Sequence, residues 1–389
     1  MFKRKQFIVF NVFLIVLIAI YLCITIVYNQ SFKHSFEYFS PQEVINNQLI
    51  DKITTIQPID SVLNESISNV TDLQKLYEIR KRVNTTDQYL KRLSQFTKKR
   101  INSRLIYPNE MLEMTSITIN QRKCSEEFGR DLLLVILVFI RVDGFDRRQL
   151  IRETWGQDIK NDSRSRLFFA TGLSRDPKIE KQLRQENNKF SDILQFGYYE
   201  DYYNCTIKAT ALLRWTAISC PFVKFMLKVD DDSLILSKNL LEFCDKTEPN
   251  SIFGYLWSNP QVLRGKDKWA ISLEDFPQSF YPDYIGGPYL IPGRYIPYLY
   301  ETAINKCLPA LTFEDVYITG IVAEKTGVKR SRLSSLLFTY PGCPVLRLDY
   351  CYYKNYSIFW QGFSDYQLRT VWNIFKSGDV CPSKGDQRC

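Results

Sequence analysis

Asp230, Asp231 and Asp232 stand in one run at the end of an apolar stretch, Phe222-Val-Lys-Phe-Met-Leu-Lys-Val-Asp-Asp-Asp232. Three adjacent carboxylates repel one another and are costly to desolvate without a counter-charge. In a cleft, such a cluster suits a divalent cation with hard oxygen ligands; in solvent, it is only an acid-rich turn. Arg148 and Arg152, at i and i+4 in Asp146-Arg-Arg-Gln-Leu-Ile-Arg-Glu-Thr-Trp-Gly156, share one face of a predicted helix. Such a pair either grips phosphates bidentately or forms surface ion pairs. Thr312 and Asp315 have the spacing of a capping box ahead of a helix running to Gly327. Tyr281-Pro-Asp-Tyr-Ile-Gly-Gly-Pro-Tyr-Leu-Ile-Pro292 combines tyrosines that could stack on sugar faces with paired glycines. Those glycines either let backbone approach a ligand or simply make a turn.

The elements that must position these residues are legible as apolar runs. Leu132 to Ile140 is continuously apolar, as in a strand buried on both faces of a parallel sheet. Arg166 to Gly172 and Ser191 to Phe196 read as the next strands, separated by a polar helix over Ile179 to Asn188. A helix from about Thr206 to Ser219 leads into the strand that ends at Asp230, and Ser251 to Trp257 reads as a further strand. The tail carries a last strand near Ile358 and a helix over Tyr366 to Phe375. Alternation of strand and helix predicts a doubly wound, mostly parallel α/β sheet, whose ligands bind at the carboxyl ends of the strands.

The 389 residues carry a diffuse formal charge of +9 with no recognisable nucleic-acid module, so nucleic acid is not an expected partner. The sole histidine, His34, excludes Ser-His-Asp and Cys-His hydrolases and HExxH metalloproteases from the chain that follows. Phe7 to Val27 is long enough, as a helix, to cross the roughly 30 Å bilayer core, and Lys3, Arg4 and Lys5 precede it. The expected division is a cytosolic tail (1–6), a signal anchor (7–27), a lumenal stem (28–123) and a catalytic domain (124–389). Nine of the ten cysteines then lie in an oxidising lumen, where many would pair. Sequons at Asn29, Asn64, Asn69, Asn84, Asn161, Asn204 and Asn355 suit the same side.

Six stretches, in this order, resemble the β-1,3-galactosyltransferase-like family, glycosyltransferase family 31. They are Arg148-Gln-Leu-Ile-Arg-Glu-Thr-Trp155, Phe168-Phe-Ala-Thr-Gly172, Tyr202-Tyr-Asn-Cys-Thr-Ile-Lys208, Phe225-Met-Leu-Lys-Val-Asp-Asp-Asp232, Tyr281-Pro-Asp-Tyr-Ile-Gly-Gly287 and Glu314-Asp-Val-Tyr317. The resemblance implies a GT-A fold, a UDP-sugar donor, a divalent cation such as Mn2+, and a glycoprotein or glycolipid glycan as acceptor in the Golgi. It places Asp230 and Asp232 at the cation, Asp231 beside the donor, and Asp315 as catalytic base. Arg148, Arg152 and Lys208 fall near the nucleotide pocket. Gln361, in Phe359-Trp-Gln-Gly-Phe-Ser-Asp365, stands where the family carries a late histidine near the cation. Cys205, Glu200 and Ile285 also depart from the usual Leu, Asp and Cys. Galactose is the expected sugar, with N-acetylglucosamine or N-acetylgalactosamine as alternatives within the class. A weakly active glycan-binding member is the reading from outside it, and a homo-oligomer stays open. The anchor predicts that intact microsomes shield the C-terminal domain from added protease and that endoglycosidase shifts its gel mobility; a protease-sensitive, unshifted chain would refute this.

Overall fold

The computed structural model describes residues 104–115, 118–119, 124–305, 308, 310–333 and 358–377, all within the compact unit Lys75–Cys389. The expected anchor and the sequons at Asn29, Asn64, Asn69, Asn84 and Asn355 lie outside these residues. Among the described residues no helix is long and apolar enough to cross a membrane.

The domain opens with β1 (Leu105–Ile106), α1 (Pro108–Thr115) and β2 (Thr118–Ile119). These residues, expected as stem, belong to the domain: β2 pairs with a core strand, and Ile106, Met111 and Met114 are buried. The first long strand, β3 (Leu134–Phe139), is followed by α2 (Phe145–Glu153) and α3 (Trp155–Asn161), which break at Thr154. Then come β4 (Ser165–Leu173), α4 (Pro177–Phe190), β5 (Ile193–Tyr199), α5 (Cys205–Ser219) and β6 (Phe225–Asp230). Pro177 at the first turn and the Asp176 side chain, accepting from the Lys178 amide, start α4. A second group comprises β7 (Leu234–Ile235), α6 (Ser237–Lys246), β8 (Ile252–Trp257), β9 (Tyr284–Pro292) and α7 (Ile296–Ala303). β10 (Ala310–Leu311) leads to a π-helical turn (Val316–Val322), α8 (Ala323–Thr326) and β11 (Arg330–Arg332). Left-handed Gly327 ends that helix, where the sequence placed its end. The described chain closes with β12 (Phe359–Trp360) and α9 (Asp365–Lys376).

The main sheet has the order β11-β8-β9-β6-β3-β4-β5-β2. β6, β3, β4 and β5 are mutually parallel, so the chain winds outward from β3 in one direction and then returns to pair β6 on its other side. That reversal between β3 and β6 is the crevice where ligands of such sheets sit. β9 and β2 are antiparallel insertions; β9 takes the Gly- and Tyr-rich stretch whose glycines, by sequence, either approach a ligand or make a turn. Gly287, at φ +72°, sits near the register shift opposite Gly254 and Tyr255, so the paired glycines serve a strand irregularity.

Alternate residues of β3 feed two cores. Val135, Leu137 and Phe139 pack with α1, α5 and α7; Leu134, Ile136 and Val138 pack with α2, α3, α6 and α9. Burial on both faces explains the unbroken apolar run. Asn204 is also buried, its amide donating to the Tyr199 carbonyl (2.7 Å), so that sequon is closed in the folded domain whereas Asn161 is exposed.

Cys124 and Cys220 form a disulfide across 96 residues, tying the segment ahead of β3 to the end of α5. Closing so long a loop restricts the unfolded chain, so Cys220→Ser should cost about 2–4 kcal/mol, read as a lower urea midpoint. An unchanged midpoint would show that packing alone holds this corner.

Candidate active site

β6 carries a lysine two residues before the acid cluster, and that residue organises the site. Lys228 is almost wholly buried, yet its Nζ lies 2.8 Å from Asp230 Oδ1 and 2.6 Å from Glu314 Oε1. Burial opposes its charge, but Asp230 and Glu314 outweigh that and hold its pKa well above the usual lysine value. The ammonium also faces the rings of Phe139 (4.6 Å) and Tyr289 (5.5 Å).

Glu314 in turn accepts the backbone N–H of Asp315 through Oε2 (2.8 Å). Asp315 Oδ1 accepts from the Val316 amide (2.8 Å), while Thr312 Oγ1 is buried without a partner among the described residues. The capping box read from the sequence is therefore not formed. Burial and the neighbouring Glu314 carboxylate raise the Asp315 pKa to about 7. The element it starts is wound as a π-turn, a distortion common at functional sites. Thr319 donates to the Asp315 carbonyl (2.7 Å) and accepts the Ile285 amide (2.8 Å), which fixes that turn against β9.

The acid cluster sits on the tight turn after β6, with the Ser233 amide on the Asp230 carbonyl (3.2 Å). β12 pairs with β7, bringing the tail across: the Phe363 amide donates to the Asp232 carbonyl, and Gln361 Nε2 lies 3.3 Å from Asp230 Oδ2. The late residue thus reaches the cluster. Burial, then Asp230 and Asp231, raise the Asp232 pKa to about 6. Its Oδ1 is buried with no hydrogen-bond partner among the described residues.

That orphaned oxygen beside mutually repelling carboxylates fits a bound divalent cation. Among the described residues no three His, Cys, Asp or Glu side chains converge into a complete cage. A cation held by Asp232 and Asp230, with Gln361 alongside, would take its remaining oxygens from substrate phosphates or water, as Mg2+-type sites commonly do.

The other expected site residues are placed differently. Arg148 is fully buried; it grips Glu186 through Nε and Nη2 and donates to the Arg141 and Val142 carbonyls (2.9 and 3.2 Å). Arg152 pairs bidentately with Asp192 (2.8 Å each) and with Glu186 (2.7 Å). Neither offers its fork to a phosphate; both lock α2 and the β3–α2 loop to α4. Lys208 pairs with Glu200 (2.6 Å) and reaches the Ile140 carbonyl (3.2 Å). Glu200 also accepts from Thr171 and Gly172, so this pair ties the carboxyl ends of β3, β4 and β5 together. The arginine nearest the cluster is one the sequence did not single out. Arg147, on the other face of α2, is held by Asp365 (2.8 Å) and the Phe363 carbonyl (3.0 Å). Its charge opposes the upward shifts of Asp231 and Asp232, and its Nη1 is buried without a partner among the described residues.

An α/β sheet with an acid cluster at its switch point, and a second acidic pair across a shared lysine, has its charged groups where ligands of such sheets bind. The sequence profile of the family described as galactosyltransferase matches residues 146–334. The Drosophila melanogaster β-1,3-galactosyltransferase brn is 31% identical over 215 residues, 54% of this chain and 65% of its own length. The Mus musculus β-1,3-galactosyltransferase 1 is 30% identical over 240 residues, 60% of this chain and 71% of its own. A mouse acetylgalactosaminyl-O-glycosyl-glycoprotein β-1,3-N-acetylglucosaminyltransferase is 28% identical, covering 62% and 65%. The chain belongs to this glycosyltransferase family, and its match spans about two thirds of each of these relatives. A Drosophila β-1,4-galactosyltransferase 7 structure with manganese, UDP-Gal and xylobiose overlays at 10% identity and a TM-score of 0.28, covering 52% of this chain and 65% of that one, too slight a likeness to bear on function.

Removing the shared ammonium would leave two carboxylates facing each other in a poorly solvated site. Lys228→Met should therefore destabilise the domain by about 3 kcal/mol, the scale of an uncompensated buried charge, whereas Lys228→Arg should lose less. Urea unfolding measures both; equal midpoints for wild type and Lys228→Met would show that the two carboxylates do not need it.

Proposed function

We propose that the protein is an inverting β-1,3-hexosyltransferase that moves galactose from UDP-galactose to a glycan hydroxyl, with a GT-A-type domain in the Golgi lumen behind a type II anchor. One observation carries the reading: Asp315, with its raised pKa, is joined through Glu314 and Lys228 to the carboxylate cluster at the sheet's switch point. Donor and base subsites are thereby built into one rigid unit. One N-acetylglucosaminyltransferase among the relatives supports a second reading of the donor, UDP-N-acetylglucosamine.

In this mechanism the acceptor hydroxyl attacks the anomeric carbon from the face opposite the nucleoside diphosphate. Asp315 takes the hydroxyl proton as the bond forms, and the C–O bond to the diphosphate breaks. Asp230 and Asp232, with Gln361 beside them, would hold the divalent cation, which when bound neutralises the charge gathering on the diphosphate. Arg147 adds a fixed positive charge near Asp231 and Asp232. Lys228 keeps Asp230 and Glu314 in register, and Arg148, Arg152 and Lys208 hold the loops around them.

A carboxyl group with a raised pKa carries its proton below that value and cannot accept another. Turnover of the wild type should therefore climb through about pH 7 and then level off, as Asp315 ionises. Asp315→Asn should lose roughly 10²-fold or more in turnover, the scale of general-base help, while melting close to wild type and keeping its affinity for UDP. UDP release from a panel of UDP-sugars, with and without manganese and across pH, reads all of this. Near-normal turnover in Asp315→Asn would move the base elsewhere, with Glu314 the first candidate.

A further inference from the structure

Between β8 and β9 the chain leaves the sheet for residues 258–283 and returns beside its point of departure. This excursion is tightly held. Arg264 donates to four of its carbonyls: Ile271, Ser272 and Phe276 at 2.8 Å, and Gln278 at 2.7 Å. Arg104 holds it from outside, through Asp275 (3.1 Å) and the Lys268 carbonyl (3.3 Å). Its inner side chains Val262, Ile271 and Tyr281 pack with Leu311 and with Val316, the residue after Asp315.

A loop fixed so firmly has no need to leave large rings in solvent. Trp269 is nevertheless 49% exposed, and Trp257, at the start of the excursion, 42%. Tyr202, on the turn before α5, is 56% exposed and lies within hydrogen-bonding reach of the Trp269 side chain. Clustered aromatic surface of this kind marks a recognition site.

The topology puts these rings beside the base. β8 runs parallel to β6, so Trp257 at its end lies on the same sheet edge as Asp230, in register with Tyr284 at the start of antiparallel β9. The two rings stack at 6.4 Å and 21°. A Cβ on Gly286 would come within 2.7 Å of Trp257 Nε1, so only glycine gives the indole that seat. Tyr284 also packs over Gly320 of the π-turn that Asp315 begins. Burial is the main cause that raises the phenols of Tyr202, Tyr281 and Tyr284; the Asp315 carboxylate comes next for Tyr284, acts against the opposing Arg264 charge for Tyr281, and adds a lesser push behind Cys205 and Glu314 for Tyr202. The carboxylate is thus within electrostatic range of all three.

We propose that Trp257, Tyr284, Tyr202 and Trp269 form the acceptor platform, stacking on the apolar face of a pyranose so that one of its hydroxyls meets Asp315. This rests on the transferase reading. A pyranose fits because its C–H face matches the electron-rich face of a ring, while its rim of hydroxyls stays in water with the indole N–H and phenol O–H groups. A purely apolar ligand would leave those polar tips unmatched.

The full-length chain, with UDP and Mn2+ present, can be tested on a printed array of β-linked mono- and disaccharides. Wild type should bind a subset of the glycans. Trp269→Ala, at a half-exposed site, should weaken that binding roughly tenfold, and Trp269→Phe should restore most of it. Trp257→Ala should act in the same direction, and UDP affinity should be unchanged in all three variants. Unaltered glycan binding in both alanine variants, or no glycan bound by wild type, would overturn the platform. Release of UDP from UDP-galactose without acceptor reports separately on the donor side. Glycan binding that depends on Trp269 in a chain that never turns over a UDP-sugar would sink the transferase reading and keep the platform.

Discussion

Lys228 is the charge on which the site depends. A lone buried ammonium would be costly, and so would Asp230 and Glu314 brought together without it. Their mutual need sets a distance: Lys228 can meet both carboxylates only if the segment bearing Glu314 closes over the end of β6. Asp315 follows one residue later, so the same contact that neutralises the cluster also places the carboxyl group proposed as the base. The π-turn and the Thr319 link to β9 then fix which way that residue faces.

Around this centre the carboxyl edge of the sheet is fastened by further charge pairs. Arg148 and Arg152 with Glu186 and Asp192 hold α2 to α4, and Lys208 with Glu200 gathers the ends of three strands. Buried ion pairs of this sort add little net stability over apolar packing. They do fix geometry, because each fork and carboxylate has few satisfactory arrangements. Loops that must stay open to ligand cannot be held by a core, and directional bonds take over that task.

The same economy of position holds at the tail. β12 is two residues long and pairs with the equally short β7, yet it carries Gln361 to Asp230 and anchors Phe363 against Asp232. Asp365 then restrains Arg147 from behind. Gln361 meets Asp230 through its Nε2, and its amide oxygen would be a neutral donor weaker than imidazole toward transition metals. In the proposed site a cation would accordingly depend mainly on Asp232 and Asp230.

The sequence by itself determined the winding of the sheet and the address of the cluster. Leu132 to Ile140 had to be a doubly buried strand because nothing in it tolerates water, and three carboxylates after Val229 had to lie at a strand's end. It also marked Asp315 and Gln361, through the family's order of motifs. Tertiary structure alone decided the partner of each charge. Arg147, Arg148 and Arg152 share one helix, and their types do not say which meets Glu186 and which faces Asp231; that follows from the rotation of α2 against α4 and α9. Thr312 and Asp315 have a cap's spacing, but β10 and the π-turn set their side chains apart. Gly286 reads equally as a turn or as room for a ligand until β9 pairs with β8, and only then does the missing Cβ become the seat of Trp257. Local pattern encodes burial and periodicity; the pairing of charges and rings depends on which elements meet, and that is set by the whole fold.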